Sequence, residues 1–267
     1  MTWGRPKGFN GMIYVNSISA SYDGVTVLQD LTLNIDVGEH LGLVAPNGSG
    51  KTTLIKIISG IKLPDSGSVN IGGHQIASLR PKHRARLVSV VQQNPTIPVG
   101  LTAKEVVLMG RNPYLSLVQW EGRSDLGYCE EAMVLTQTSD LADRPIKSLS
   151  GGELKRVFIA RALVQDTPVM LLDEPTAHLD IFYQIQILDL IEDIRTRTNM
   201  TIICAMHDLN MAAQYSNRIA VLHQKQIYAL GQPNEILTGE LILKVFGARV
   251  AILKHPTFNV PVILPTK

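Results

Sequence analysis

Two clusters in the sequence combine residue types suited to phosphate, a divalent cation and an attacking water. The first, Ala45-Pro-Asn-Gly-Ser-Gly-Lys-Thr-Thr53, follows the β-like run Leu41–Val44 and precedes a helical pattern. Phosphate needs many donors packed closely with no side chain in the way. Gly48, Ser49 and Gly50 let backbone N–H groups curl around it at the positive end of a helix dipole. Lys51 reaches the β/γ oxygens and the Thr52 hydroxyl can ligate Mg²⁺. Asn47 and Thr53 complete the expected nucleotide contacts. A glycine–lysine turn in another setting is an ordinary loop; between a strand and a helix it reads as a phosphate site. The match to GxxxxGK[ST] departs at its first glycine, here Ala45. An added methyl strains the turn only if φ must be positive, and we expect Ala45 to fit a permitted conformation.

The second cluster, Val169-Met-Leu-Leu-Asp-Glu174, is four apolar residues followed by two carboxylates. As a buried parallel strand it ends with Asp173 placed to hold Mg²⁺, directly or through water, and Glu174 placed to polarise a water. A buried strand with acidic residues in the next loop is common. The position of this one, well downstream of Lys51, is what gives it meaning.

The surrounding pattern supplies elements for both clusters. Short β-branched runs at Met12–Ser17, Leu31–Val37, Gly42–Ala45 and Gly67–Ile71 read as strands, and Lys51–Ile61 as a helix opened by the glycine-rich turn. Helical periods take over at Thr102–Met109, Leu126–Thr136 and Glu153–Gln165. Val169–Asp173, Ile181–Arg195 and Thr201–His207 then alternate strand and helix. Such alternation predicts an α/β fold with a largely parallel sheet covered on both faces. Residues 1–11 show no pattern and read as a loose leader; translation from Met12 would leave the domain whole.

Composition narrows the function classes. With 25 Lys+Arg against 23 Asp+Glu the net charge is +2, which is no nucleic-acid footprint. No apolar run approaches the roughly 18–20 residues that span a bilayer, so a membrane role is expected to come through a partner. Cys129 and Cys204 lie far apart without metal-ligand spacing, and Cys204 sits in an apolar run as a small core residue. That usage suits a reducing cytoplasm.

Leu149-Ser-Gly-Gly-Glu153, with the helical Leu-Lys-Arg after it, joins the two clusters above in a chain that resembles the ATP-binding subunits of ABC transporters. Ser150 is a helix cap, and Gly151 and Gly152 expose backbone donors at that helix's N-terminus, a second phosphate-binding end. One γ-phosphate rarely needs two such ends within one molecule; two molecules packed head-to-tail do. The resemblance implies an ATP- and Mg²⁺-dependent dimer with each ATP between the glycine-rich turn of one copy and Ser150–Glu153 of the other. It implies a P-loop core with a mainly parallel sheet, an antiparallel β subdomain and a helical subdomain. Within it, Tyr22 matches the aromatic that stacks on adenine, and Gln93 the loop glutamine touching Mg²⁺ and the attacking water, with Gln92 as the competing register. Asp180 in Ala177-His-Leu-Asp180 matches the loop that crosses the dimer interface, and His207 the histidine that contacts the γ-phosphate. Glu153 stands where glutamine is commoner, and His178 where a small residue is frequent.

The implied layout is an ATPase domain over 12–240, its helical subdomain at about 94–160, and a tail over 241–267 packing on the core. Leu108-Met-Gly-Arg-Asn-Pro-Tyr114, Pro175–Asp180 and the C-terminal Val-Phe-Gly and Pro-Val-Ile-Leu-Pro265 are most similar to importer subunits for iron–siderophore, haem or cobalamin complexes. The implied partners are an integral-membrane permease and, through it, a substrate-binding protein, with the chain peripheral on the cytoplasmic face. Tyr114 and Trp120 are either part of the permease-docking groove or simple core. A soluble ATPase of translation or DNA maintenance, an exporter ATPase and a non-catalytic scaffold are the competing classes. The presence of both Glu174 and His207 argues against the scaffold.

Overall fold

A computed structural model describes residues 12–97, 99–116 and 122–266; the expected leader and Trp120 lie outside them. The chain divides into two compact units, residues 79–200 and the segments that flank them.

In the flanking unit, β1 (Ile13–Tyr22) and β2 (Val25–Ile35) form an antiparallel hairpin. Both are longer than the runs Met12–Ser17 and Leu31–Val37 predicted. The register slips between Val15 and Ile18, and Ser17 adopts φ 44. Such a bulge shifts the phase of the alternation, so Ile13 and Val15 face the core before it and Ile18 and Ala20 after it. Period-two counting therefore stops at the bulge. Asp23-Gly24, at φ 48 and 79 between paired Tyr22 and Val25, supplies the tight turn and sets Tyr22 at the hairpin tip.

β3 (His40–Val44) is buried throughout and leads into α1 (Lys51–Ile58), which ends at Ser59-Gly60 rather than at the predicted Ile61. β4 (Ser66–Ile71) and β5 (His74–Gln75) extend the antiparallel sheet in the order β2-β1-β4-β5.

Residues 79–200 hold α2 (Pro81–Arg84), β6 (Val88–Val91), α3 (Ala103–Leu108), α4 (Arg123–Leu135), α5 (Gly151–Leu163), β7 (Val169–Asp173) and α6 (Ile181–Thr198). β6 and β7 pair in parallel, ending in register at Val91 and Leu172. α3, α4 and α5 pack on one another, and Val106, Val107, Cys129, Met133, Val157 and Phe158 on them are all buried. Burial raises the Cys129 thiol to about 11, so it is an inert core residue. Arg111 is held between the rings of Tyr114 and Tyr128, 4.0 and 4.3 Å from their centroids, and donates to Asp125 at 2.8 Å. Tyr114 also donates its hydroxyl to the Asp166 carbonyl at 3.2 Å. Its ring and hydroxyl are thus engaged in packing within this unit.

The chain then returns to the flanking unit. β8 (Thr201–Met206), also wholly buried, is followed by α7 (Leu209–Tyr215), β9 (Arg218–His223), β10 (Gln226–Gly231), α8 (Pro233–Ile236) and α9 (Gly239–Phe246). β8 and β9 lie parallel to β3 on its two sides, and β10 runs antiparallel to β9. A hairpin of β11 (Val250–Lys254) and β12 (Pro261–Pro265) closes the described chain. The Asn210 side chain on α7 fastens it, donating to the Ile263 carbonyl at 3.2 Å and accepting from its N–H at 2.7 Å. The fold is therefore α/β, with parallel and antiparallel strands and a helical cluster.

Candidate functional site

The chemistry-bearing residues gather where parallel strands end, once in each unit. In open α/β sheets this is the edge at which ligands bind.

In the flanking unit β3 and β8 finish in register at Val44 and Met206, so the glycine-rich turn and His207 step off the same edge. Gly50 caps α1 with φ 101, and a Cβ there would meet Leu28 Cδ2 at 2.8 Å. Any side chain at this position meets both a left-handed backbone and β2. Gly48 has φ 75 with nothing within 4 Å of a notional Cβ, so the space over the turn is open. Ala45, by contrast, is 3% exposed and is not among the positive-φ residues, so its methyl packs inward without backbone strain.

Lys51 is 5% exposed and donates from Nζ to the Ala45 carbonyl at 3.0 Å, which folds its ammonium back over the turn. Thr52 is exposed while Thr53 is buried, so of the two hydroxyls Thr52 faces outward; Asn47 is exposed and Ser49 half-buried. Tyr22 is 42% exposed, and the ammonium of Lys62 lies 4.5 Å from its ring centroid. His207 is exposed, and Asp208 after it caps α7 by accepting from Asn210 and Met211 N–H at 2.8 and 3.0 Å.

In residues 79–200 the register of β6 and β7 carries Gln93 and Glu174 equally far past the last paired residues. β7 ends on Asp173, 6% exposed, and the chain turns sharply at Glu174, whose φ is 50. Left-handed backbone at a glutamate costs roughly 1–2 kcal/mol. The Gln93 side chain donates from Nε2 to Glu174 Oε2 at 2.6 Å. Gln93 is therefore the partner of Glu174, whereas Gln92 is exposed.

Ser150 and Glu153 form a reciprocal capping box at the start of α5. Ser150 Oγ accepts from the Glu153 N–H at 3.4 Å, and Glu153 Oε2 accepts from the Ser150 N–H at 2.7 Å. These bonds to Ser150, helped by Arg144, hold the Glu153 carboxyl below its ordinary pKa. Gly151 is exposed, and a Cβ on Gly152 would lie 2.7 Å from the Tyr183 ring. Asp180 caps α6, accepting from Tyr183 N–H at 3.1 Å. His178 is exposed with φ 64, a left-handed conformation in which histidine is one of the more frequent residues other than glycine.

Sequence reasoning missed Lys155. Its Nζ donates to the Gln93 carbonyl at 2.6 Å. Burial pulls its pKa below the ordinary lysine value, and the Asp173 and Glu174 charges oppose that shift. Its place one turn beyond Ser150 on the predicted helix was the available signal.

Residues 28–177 match the family model for ABC transporters. The chain is 36% identical over 248 residues to the ferric enterobactin transport ATP-binding protein FepC of Escherichia coli (strain K12), covering 93% of this chain and 92% of that protein. It is 39% identical over 250 residues to the hemin import ATP-binding protein HmuV of Thermobifida fusca (strain YX), covering 94% and 87%. Among solved structures it is similar to a chain of an inward-facing metal-chelate type ABC transporter, with TM-score 0.84, 25% identity and coverage of 97% and 98%. It is also similar to the dimeric bacterial ABC transporter cassette MJ0796, with TM-score 0.74, 28% identity and coverage of 82% and 98%.

The chain belongs to the ATP-binding subunits of ABC transporters. It binds ATP and is an ATPase of that class.

Proposed function

We propose that this subunit energises import of an iron–siderophore, haem or cobalamin complex through a separate integral-membrane permease, working as a head-to-tail pair around ATP. The observation that carries the substrate class is likeness along nearly the whole chain to proteins named for ferric enterobactin transport and hemin import. A substrate-binding protein delivers the complex to the permease. Among the described residues no helix is long and apolar enough to cross a membrane. In this reading the permease holds the subunit at the cytoplasmic face.

In this reading Asn47, Gly48, Ser49 and Gly50 present backbone donors to the phosphates, assisted by Thr53. Lys51 exchanges the Ala45 carbonyl for the β/γ oxygens, and the half-exposed Tyr22 ring offers a face to adenine. Ser150, Gly151, Gly152 and Glu153 of a second copy complete the donor set, with Asp180 crossing between copies.

The donors available for a cation are a hydroxyl at Thr52, a carboxylate at Asp173 and an amide at Gln93, all oxygen ligands that fit Mg²⁺. No group of three or more His, Cys, Asp or Glu that would hold a metal occurs among the described residues. A cation held by so few protein groups depends on phosphate oxygens for the rest. When bound, Mg²⁺ neutralises charge on the phosphates. Glu174 orients and deprotonates water, Gln93 fixes the Glu174 carboxylate, and His207 contacts the γ-phosphate.

Uptake of radiolabelled ferric siderophore, haem and cobalamin by the complex reconstituted with its permease tests the assignment. One of the three should accumulate with ATP and fail to do so when the subunit carries Glu174→Gln. A complex that hydrolyses ATP yet moves none of them sinks the import reading.

A further inference from the structure

We infer that Lys155 is a positioning residue that ties the helix opened by Ser150 to the Gln93–Glu174 pair and holds Gln93 in the orientation that engages Glu174. This rests on the reading of Glu174 and Gln93 as the groups that handle water.

β6 ends at Val91, so no ladder hydrogen bond fixes Gln93, and residues 92–97 have no helix or strand of their own. Two contacts hold it instead. One is its amide to Glu174, at 2.6 Å; the other is the Lys155 ammonium on its carbonyl, at 2.6 Å. The second is a charge-assisted bond from a half-buried lysine, stronger than a neutral pair. It restrains the backbone of the residue whose side chain meets the carboxylate. The same lysine feels the charges of Asp173 and Glu174. Its ammonium therefore adds positive potential beside those carboxylates as well as fixing Gln93.

Lys155 lies five positions after Ser150 on α5, a rigid helix locked at its start by the capping box. A displacement of the Ser150–Glu153 end is thus carried by one element to the Gln93 carbonyl. In the proposed dimer that end faces the ATP of the other copy. The lysine then links what α5 senses at the partner's nucleotide to the orientation of Gln93 and Glu174 in its own chain.

The test compares Lys155→Met, which keeps the apolar stem and removes the ammonium, with Lys155→Arg, which keeps a charged donor. Steady-state ATPase should show kcat down about tenfold or more in Lys155→Met, with KM for ATP within about twofold and the thermal midpoint unchanged. Lys155→Arg should recover most of the rate. Glu174→Gln, which slows hydrolysis without removing a nucleotide contact, should elute from gel filtration as a dimer with ATP, and adding Lys155→Met to it should leave that dimer in place. Parental kcat in Lys155→Met overturns the inference, as does a loss that comes with a lowered midpoint and raised KM and is not restored by arginine. Parental turnover in Glu174→Gln alone overturns the underlying assignment instead, so the two failures are separate.

Discussion

The ammonium of Lys51 rests on the Ala45 carbonyl, with only 5% of the residue exposed, at the start of the helix that the glycine-rich turn opens. Lys51→Ala should lower ATP turnover by more than about 100-fold and weaken binding of a fluorescent ATP analogue. Unchanged turnover would place the phosphate site elsewhere. Ala45 raises the converse case. Its backbone does not need positive φ, so Ala45→Gly should leave the ATPase rate within a few-fold of the parent, and a large gain would mean the methyl acts as a brake. The resemblance favours Gln93 over Gln92, since Asn-Pro follows it; what the structure adds is the 2.6 Å bond from Gln93 to Glu174.

At the scale of elements, α5 was legible because Ser150 and Glu153 sit three apart before an apolar helical period, the spacing a capping box requires. Ser150→Ala should destabilise the domain by about 1 kcal/mol in urea unfolding, chiefly by fraying this helix end. The cap also carries a pH dependence. The folded-state pKa of Glu153 lies below its ordinary 4.5, so its stabilising contribution is complete above that value and fades as pH falls through the depressed one. Protection of the amides in the first turn of α5, taken relative to their intrinsic exchange rates, should therefore fall below about pH 4.5. Glu153→Gln, which keeps an acceptor that does not titrate, should flatten that fall; an unchanged acid response would assign it to another group. β1 was less legible for the reason already given. A bulge near Ser17 changes which residues face the core halfway along, and alternation counted from Ile13 predicts an end where there is only a kink.

For the whole molecule the testable consequence is association. Part of the proposed donor set for each ATP comes from a second copy, so the isolated chain should be monomeric without nucleotide and hydrolyse slowly. Glu174→Gln should lose about 10²–10⁴ in rate while retaining ATP. It should elute as a dimer with ATP–Mg²⁺ but not with ADP. Asp173→Asn, which weakens the cation itself, should not trap that dimer. Ile181 and Phe182, each 60% exposed beside the Asp180 cap, are apolar residues suited to cover by the partner. Phe182→Glu introduced into Glu174→Gln should shift the ATP-dependent equilibrium toward monomer in light scattering. A nucleotide-independent dimer of the parent chain would contradict the scheme.

What the sequence by itself determined were features set by local chemistry. The glycine-rich turn, the acidic end of a buried strand, the capping box and the alternation of strand and helix each need only neighbours along the chain. Tertiary structure decided what depends on residues far apart in sequence: the register that sets Gln93 beside Glu174, the bulge inside β1, the bond from the Tyr114 hydroxyl to the Asp166 carbonyl, and the reach of Lys155 to a carbonyl 62 positions away. A hydrogen bond between distant segments is fixed by how strands pair and helices pack on them, and no spacing along the chain records it.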